Sequence, residues 1–240
     1  MKNTRIFRPM AFLLVCTFFN ISCEKTQTET DLPLGENQVE AFNSKTGNND
    51  SAIEAGSEVF SPLLHIRYDA SLNKEEASAL FNKAVSKYMK ENGQANKTAS
   101  YFYFEVWTRT SNYAHSQTDG SVWARFNFLT DQGIKNLPWA KLNNEGDDRQ
   151  NGAWDFYYFG THASSINWLE AKSTQVALRG TDGWHVKYFD IRVWASKQFS
   201  SATGNSRVLS NPETWLDNTT ATGWDYYYTG NVGTGRMNFN

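Results

Sequence analysis

Cys23 is the residue whose chemistry its surroundings define most sharply. The chain holds two cysteines, Cys16 and Cys23, and a thiol is a nucleophile that can accept an acyl group. Cys23 follows a leader in which three basic residues precede an apolar run from Met10 to Phe19. This pattern is typical of a signal peptide, and the run is too short to span a bilayer as a helix. We therefore expect export and removal of residues 1–22.

The residues just before Cys23 carry a second signal. They read Asn20-Ile-Ser-Cys23, with a small residue next to the cysteine, and they resemble the lipobox of bacterial lipoproteins. The resemblance implies that Cys23 carries lipid and becomes the new N-terminus. The alternative is cleavage by an ordinary signal peptidase, which would leave one unpaired thiol on an exported protein. The favoured prediction is a protein of the bacterial cell envelope, anchored by lipid to a membrane with its domain outside the cytoplasm.

Charge and composition limit the classes of partner that we expect. Residues 1–22 hold 3 of the 23 basic residues and no acidic residue, so 20 basic residues face 25 acidic ones in the remainder, a formal charge of −5. Nucleic acid is not an expected partner, because binding to phosphates needs clustered positive charge. Residues 23–58 are polar and lack apolar periodicity, which predicts a disordered tether. About 35 residues of random coil would span roughly 30 to 35 Å.

A strand and a helix are predicted within residues 59–99. Asn73 and Glu76 have the spacing of a capping box at a helix start. The apolar residues that follow repeat at intervals of three and four, which predicts one buried helix face. This stripe comprises Ala77, Leu80, Phe81, Ala84, Val85, Tyr88 and Met89. A lone helix of this length is marginal in water, so we expect it to pack on a sheet.

From residue 100 to residue 240 the apolar period changes to two, which predicts strands. The predicted strands are 101–108, 121–129, 137–142, 153–159, 174–178 and 184–195. Short strands separated by turn residues favour a mainly β fold, an antiparallel β-sandwich preceded by the strand-helix unit. Alternation in three strands assigns an inner set of side chains: Phe102, Phe104, Val106, Val122, Ala124, Phe126, Phe128, Phe189, Ile191 and Val193.

The outer set combines aromatic and charged side chains. Glu105 indicates that this set faces solvent. A ring flanked by hydrogen-bonding charges suits a sugar or a lipid interface. The candidate ligand-binding residues are Tyr103, Trp107, Trp123, Arg125, Tyr188, Arg192 and Trp194. The alternative is that the strand-helix unit or another sheet covers these side chains, which would make Trp107, Trp123 and Trp194 a second core.

Five segments between residues 100 and 218 occur in a characteristic order. They are Tyr101-Phe-Tyr-Phe-Glu-Val-Trp-Thr108, Thr118-Asp-Gly-Ser-Val-Trp-Ala-Arg-Phe126, Asp155-Phe-Tyr-Tyr-Phe159, Gly183-Trp-His-Val-Lys-Tyr-Phe-Asp-Ile-Arg-Val193 and Trp215-Leu216. Together they resemble a PLAT/LH2 domain. The resemblance implies a β-sandwich that recognises membranes or protein partners and has no chemistry of its own. A generic jelly-roll or carbohydrate-binding sandwich is the alternative.

Calcium is the candidate cofactor. Some PLAT/LH2 domains bind calcium through loop carboxylates, and the match to the Thr-Asp-Gly motif implies a ligand at Asp119. Independently, Glu145, Asp147 and Asp148 lie in a loop rich in Gly and Asn, a composition that can supply oxygen ligands. The candidate metal ligands are therefore Asp119, Asp147 and Asp148. A solvated acidic turn is the alternative for the second group.

Common catalytic motifs are absent from the sequence. The sequence has no Gly-x-Ser-x-Gly, no His-Glu-x-x-His and no phosphate-binding glycine loop. A glycosidase needs only two carboxylates that the fold brings together, and Asp155, Asp190 and Asp225 are the candidates. Asp155 and Asp225 occupy matching places in two similar segments, residues 152–160 and 223–230.

These observations combine into one functional prediction. The chain is expected to be a noncatalytic cell-envelope lipoprotein that recognises a membrane, lipid or protein partner. The alternatives are a glycan-binding accessory lipoprotein and a glycoside hydrolase with an acidic pair.

Overall fold

Alternating apolar residues fold into two antiparallel sheets. The computed structural model describes residues 60–92, 101–142, 149–162, 166–193, 202–217, 223–230 and 235–239, all within the contact unit Leu34–Asn240. The named strands pair antiparallel throughout, and one helix accompanies them in the described residues. The predicted mainly β sandwich is therefore confirmed.

The elements follow one another in a simple order. They are β1 Leu64–Tyr68, α1 Lys74–Glu91, β2 Tyr101–Thr110, β3 Ser121–Thr130, β4 Gly133–Asn136, β5 Ala140–Lys141, β6 Trp154–His162, β7 Trp168–Arg179, β8 Trp184–Val193, β9 Ala202–Gly204, β10 Ser206–Ser210, β11 Thr214–Leu216, β12 Trp224–Tyr228 and β13 Met237–Phe239. Within the described part of the chain, no helix has the length and apolar character needed to cross a bilayer.

Each sheet has its own strand order. The first, called the helix-covered sheet below, runs β1-β6-β2-β8-β10, and β11 also pairs with β8. The second sheet runs β4-β3-β7-β13-β9, with β5 on β3 and β12 on β7. Strand β1 pairs with β6 from Leu64 opposite Tyr158 to Tyr68 opposite Trp154. Residues before the predicted boundary at 100 therefore supply an edge strand of the sandwich.

The main core lies between the two sheets, and the inner set predicted from alternation is confirmed there. All ten of those side chains are buried in one cluster. Phe104 of β2 lies near its centre, with ring centroids 5.1 Å from Phe126 and 5.1 Å from Phe159. Contacts between rings of opposite sheets hold the two layers together by burying apolar area.

Helix α1 packs on the outer face of the helix-covered sheet, as predicted. Its capping box is present, since Asn73 N–H donates to Glu76 Oε2 at 3.0 Å and Glu76 N–H donates to Asn73 Oδ1 at 2.9 Å. The buried stripe includes Phe81, whose ring centroid lies 5.1 Å from that of Phe156. The stripe and the sheet form a second core.

Two strand predictions differ most from the observed bounds. The predicted strand 174–178 covers only part of β7, Trp168–Arg179. Residues 137–142 form only the two-residue strand β5, Ala140–Lys141. Pro138 interrupts the segment, because proline cannot donate a hydrogen bond to a sheet ladder. Leu137 and Leu142 still bond to β3, through Phe126 O at 3.0 Å and Val122 O at 2.8 Å.

Truncating the helix stripe is expected to destabilise the fold. Phe81→Ala should lower the free energy of unfolding by about 3–5 kcal/mol, because it leaves a cavity where a fully buried ring packs. Chemical denaturation followed by circular dichroism measures this change. The exposed Lys87→Ala on the same helix is the control and should shift the value by less than about 0.5 kcal/mol. Equal effects of the two substitutions would contradict the packing described here.

Candidate functional site

The aromatic outer face of the helix-covered sheet is buried and is not exposed to solvent. Tyr103, Trp107 and Tyr188 are only 4%, 3% and 8% exposed. They lie in the second core, against the apolar stripe of α1. The expectation that this face is open to solvent is therefore wrong, and the alternative of a second core is confirmed for Trp107. The physical reason is that α1 needs an apolar partner and this face provides one.

Glu105 does not indicate a solvent-exposed face, because its carboxylate is paired inside the protein. The residue is fully buried, and its Oε2 accepts a hydrogen bond from Trp107 Nε1 at 3.0 Å. Arg192 Nε lies 3.6 Å from the same oxygen. The predicted ligand-binding residue Arg192 thus pairs with a buried carboxylate, which lowers the cost of burying that charge.

A second carboxylate lies buried beside Glu105. Asp190 Oδ2 accepts hydrogen bonds from Arg207 and from Tyr188 OH, the latter at 3.2 Å. Burial raises the pKa of Asp190, and the Arg207 bond only partly offsets this. Lys74 Nζ, at the start of α1, lies 4.7 Å from the centre of the Tyr188 ring. Asp190, Arg207 and Lys74 thus lie where the start of α1 meets the sheet.

Trp123 lies on the second sheet, and not beneath α1. It is 4% exposed and packs with Ala177, Trp224 and the half-buried Trp139. The predicted exposure of Trp123 is therefore wrong, because neighbouring aromatic rings cover it.

Two further predicted ligand-binding residues complete the set. Arg125, two residues after Trp123 on β3, is exposed as the alternation predicted. Trp194 lies outside the described residues.

Asp155 is the centre of a buried charge cluster between the sheets. Its Oδ1 accepts hydrogen bonds from His65 Nε2 at 3.1 Å and Arg67 Nε at 3.3 Å, and Arg149 Nη1 lies 3.7 Å from Oδ2. Burial raises the pKa of Asp155, but the His65 hydrogen bond and the positive charges of Arg149 and Arg67 outweigh it. They hold that pKa well below its usual range.

Arg149 itself is almost completely buried. It donates to Thr108 Oγ1 at 3.0 Å, to Leu142 O at 2.6 Å and to Tyr157 OH at 3.0 Å. Its guanidinium carbon lies 4.5 Å from the centre of the Trp184 ring. Such complete pairing is what a buried charge requires.

The three candidate carboxylates do not share a site. Asp155 points between the sheets with Tyr157, whereas Asp190 lies on the helix side of the same sheet with Tyr188. Asp225 is on β12 of the second sheet, paired with Leu178. Burial raises the pKa of Asp225, and the charge of Asp217 adds to this. The acidic pair that a glycosidase needs is therefore not formed by these three residues.

Asp119 is the one predicted calcium ligand among the described residues. Asp119 is exposed, and its backbone N–H donates to Asp182 Oδ2 at 2.8 Å. Asp147 and Asp148 lie outside the described residues. Within the described ranges, no three His, Cys, Asp or Glu side chains are grouped so that they could hold a metal. Asp119 and Asp182 thus lie close together at one end of the sandwich, and calcium binding stays a prediction.

Exposed rings occur at one end of the sandwich, called the loop end: residues 111–120, 180–183 and Thr214–Leu216. Tyr113 is 57% exposed and Trp215 is 44% exposed. Both rings stand edge-on to the buried His185, each with centroids 5.0 Å apart. Periodicity gives no signal for this pair, because Tyr113 lies in a turn region and Trp215 lies in a three-residue strand.

His185 bonds to the two segments that carry the exposed rings of the loop end. Its Nδ1 lies 2.5 Å from Ser111 Oγ, and its backbone N–H donates to Ser116 O at 3.1 Å. On the opposite side it pairs with Trp215 of β11. Burial lowers the pKa of His185, although the charge of Glu213 opposes the effect.

Comparison with known proteins adds a loose likeness. No family model and no curated protein matches the chain. Among solved structures, the alpha toxin of Clostridium absonum matches at 19% identity and a TM-score of 0.35, over 55% of this chain and 32% of the toxin. A Clostridium perfringens alpha-toxin from avian strain SWCP matches at 12% identity and a TM-score of 0.33, over 70% of this chain and 43% of the toxin.

A third match is a lipoxygenase, a delta413-417:GS LOX in complex with arachidonate. It has 13% identity and a TM-score of 0.35, over 55% of this chain and 16% of that protein. The chain thus matches less than half the length of each of these proteins. Likeness at this level carries no argument about function. The β-sandwich that the PLAT/LH2 resemblance implies is present, and membership of that family stays a prediction.

Two histidines predict a pH dependence of stability: His185, which is buried, and His65, whose side chain is 14% exposed. Burial lowers the pKa of His65 and of His185, so below about pH 6.5 the unfolded chain binds more protons at these sites than the folded chain. The free energy of unfolding should therefore rise with pH towards about 6.5. His185→Gln should flatten this rise by up to about 1.4 kcal/mol per pH unit.

Urea denaturation between pH 5 and pH 7 measures this effect. The exposed His115→Asn is the control, since asparagine tolerates the positive φ of 62° at that position. An unchanged slope in the His185 variant would refute the burial argument.

Proposed function

We propose that this protein is a noncatalytic, lipid-anchored protein of the bacterial cell envelope whose β-sandwich recognises a membrane surface through its loop end. The observation that carries the proposal is the exposure of Tyr113 and Trp215 on neighbouring segments at that end. Export and the lipid on Cys23 rest on the leader and the lipobox resemblance. Cys23 lies outside the described residues.

Tyrosine and tryptophan suit a bilayer interface because each combines an apolar ring with a polar tip. Here both rings are held by the same buried partner, His185. Their placement before binding lowers the entropy lost when they enter the interface. Fully burying a large apolar side chain contributes about 1.5–3 kcal/mol, so two half-exposed rings would bind weakly alone.

The charges at the loop end define the preferred surface. Asp119 and Asp182 are exposed there, while Glu213 and Lys187 act on His185 with opposite sign. Two exposed carboxylates disfavour an anionic bilayer. The proposal therefore commits to a zwitterionic surface.

The lipid and the rings would act together. A tether over residues 23–58 would place the start of the domain at a root-mean-square distance of roughly 35 Å from the anchor, which raises the effective concentration of the loop end at the membrane.

Removing the acceptor thiol should detach the protein. We expect Cys23→Ser to abolish labelling by radioactive palmitate in a bacterial host and to move the protein from the membrane fraction to the soluble fraction. Cys16→Ser, in the leader, is the matched control and should leave both readouts unchanged. Mass spectrometry showing an unmodified Cys23 in membrane-bound wild-type protein would contradict the anchor.

The loop end is tested without the lipid. In the Cys23→Ser background, flotation with phosphatidylcholine liposomes should fall by about tenfold or more when Tyr113→Ser and Trp215→Ser are combined, since the loss approaches the free energy of one buried ring. The matched control is Tyr226→Thr with Tyr228→Thr, two rings that are each 54% exposed on the second sheet. Equal flotation of all three proteins, or stronger flotation with anionic liposomes, would overturn the proposal.

A further inference from the structure

The outer face of the second sheet carries a separate pattern. Pairing of β5, β3, β7 and β12 aligns ten outward positions in three rows. The rows are Ser121, Arg179 and Trp224; Lys141, Trp123, Ala177 and Tyr226; and Arg125, Gln175 and Tyr228. Intervening residues such as Val122, Val176 and Leu178 point into the main core. These ten positions, called the second-sheet face, hold four aromatic and three basic residues and no acidic residue.

The aromatic residues form a strip along the edge strand β12. Trp224, Tyr226 and Tyr228 alternate on it, so successive rings are spaced by about 7 Å along the strand. The Trp224 and Tyr226 rings are nearly parallel, at 18° and 6.1 Å between centroids. Trp139 approaches from the other side, with its ring 6.5 Å from Tyr226. The small Ala177 lies opposite Tyr226 in the middle row.

Basic side chains border the strip. Lys141 Nζ lies 5.7 Å from the centre of the Trp123 ring, and Arg179 Cζ lies 5.8 Å from that of Trp224. Arg125 is exposed in the third row. The second-sheet face therefore carries three basic residues and no acidic residue, on a chain with a formal charge of −2. This complementarity favours an anionic ligand.

Trp123 supplies an independent observation. Its indole N–H, the one polar atom of the side chain, is buried and has no hydrogen-bond partner in the described part of the chain. Leaving a buried donor unpaired costs about 1–3 kcal/mol. A ligand oxygen that reached this atom beside Trp139 would remove that cost.

The combination identifies the chemistry of the ligand. Rings presented in a row can stack on the apolar faces of successive sugars, while lysine, arginine and glutamine donate to their oxygens. We infer that the second-sheet face binds an acidic glycan, a polysaccharide with carboxylate or sulfate groups, with Tyr226, Tyr228 and Trp139 stacking on sugars and Arg125, Lys141 and Arg179 contacting the anions.

Affinity electrophoresis of the full chain in detergent tests this site. Gels containing alginate, dextran sulfate or neutral dextran present a polycarboxylate, a polysulfate and an uncharged glycan. The protein should be retarded by at least one acidic polymer and not by dextran, and the two acidic gels distinguish carboxylate from sulfate. Retardation should weaken as salt is added, because exposed charges are screened.

Variants assign the retardation to residues. Tyr226→Thr with Tyr228→Thr should weaken the apparent affinity by about tenfold. Arg125→Gln, a change of an exposed side chain, should weaken it by about threefold or more and reduce its salt dependence. Circular dichroism and a urea midpoint confirm folding. Should the tyrosine variant misfold, Arg125→Gln carries the test by itself.

Four outcomes would overturn the inference: no retardation at low salt, equal retardation in dextran, unchanged affinity in a folded face variant, or tighter binding to a single-stranded oligonucleotide than to either acidic polysaccharide. The loop-end variant of Tyr113 and Trp215 is the matched control and should bind the glycan like wild type. The variant that tests one proposal is the control for the other, so the liposome and glycan assays can fail independently.

Discussion

The buried carboxylate of Asp155 is the interaction on which the arrangement of the helix-covered sheet depends. It bonds to His65 and Arg67 of the edge strand β1, and it lies beside Arg149, which in turn holds Leu142 O and Tyr157 OH. Strand β1 leads directly into α1. A single anion therefore joins the edge strand, the middle of the sheet and the segment after β5. An uncompensated charge here would be costly, which explains why three basic side chains surround one acid.

Because α1 covers one sheet and not the other, the outer faces of the two sheets differ in exposure. The strands β2, β6 and β8 of the helix-covered sheet are largely buried on both sides, since one face meets the main core and the other meets the second core. The outer face of the second sheet has only Trp139 laid partly over it in the described residues. Binding surfaces are thus left to the second sheet and to the loop end, where rings are exposed.

Much of the fold could be predicted from local pattern, whereas exposure could not. Period-two alternation identified the inner residues of three strands, and Asn73 with Glu76 identified the start of α1, because both signals depend on neighbours in sequence. Whether Trp107 faces water depends on a helix that packs from outside its sheet. Trp154 and Trp224 illustrate what local pattern cannot predict. Similar segments place both on outer faces, yet Trp154 lies under α1, whereas Trp224 belongs to the aromatic strip on β12. The exposed Tyr113 and Trp215 carried no periodic signal, so only tertiary structure could reveal them.

Phe60, four residues before β1, contacts both layers of the sandwich. Phe60 pairs with Ala140 in a parallel bridge, and its N–H donates to Trp139 O at 3.0 Å. Its ring also stacks on Phe159 of the opposite sheet, with centroids 5.1 Å apart. Tension transmitted along the preceding chain would thus load the backbone of Trp139, whose ring lies beside Tyr226, and would be shared at once between both layers of the sandwich.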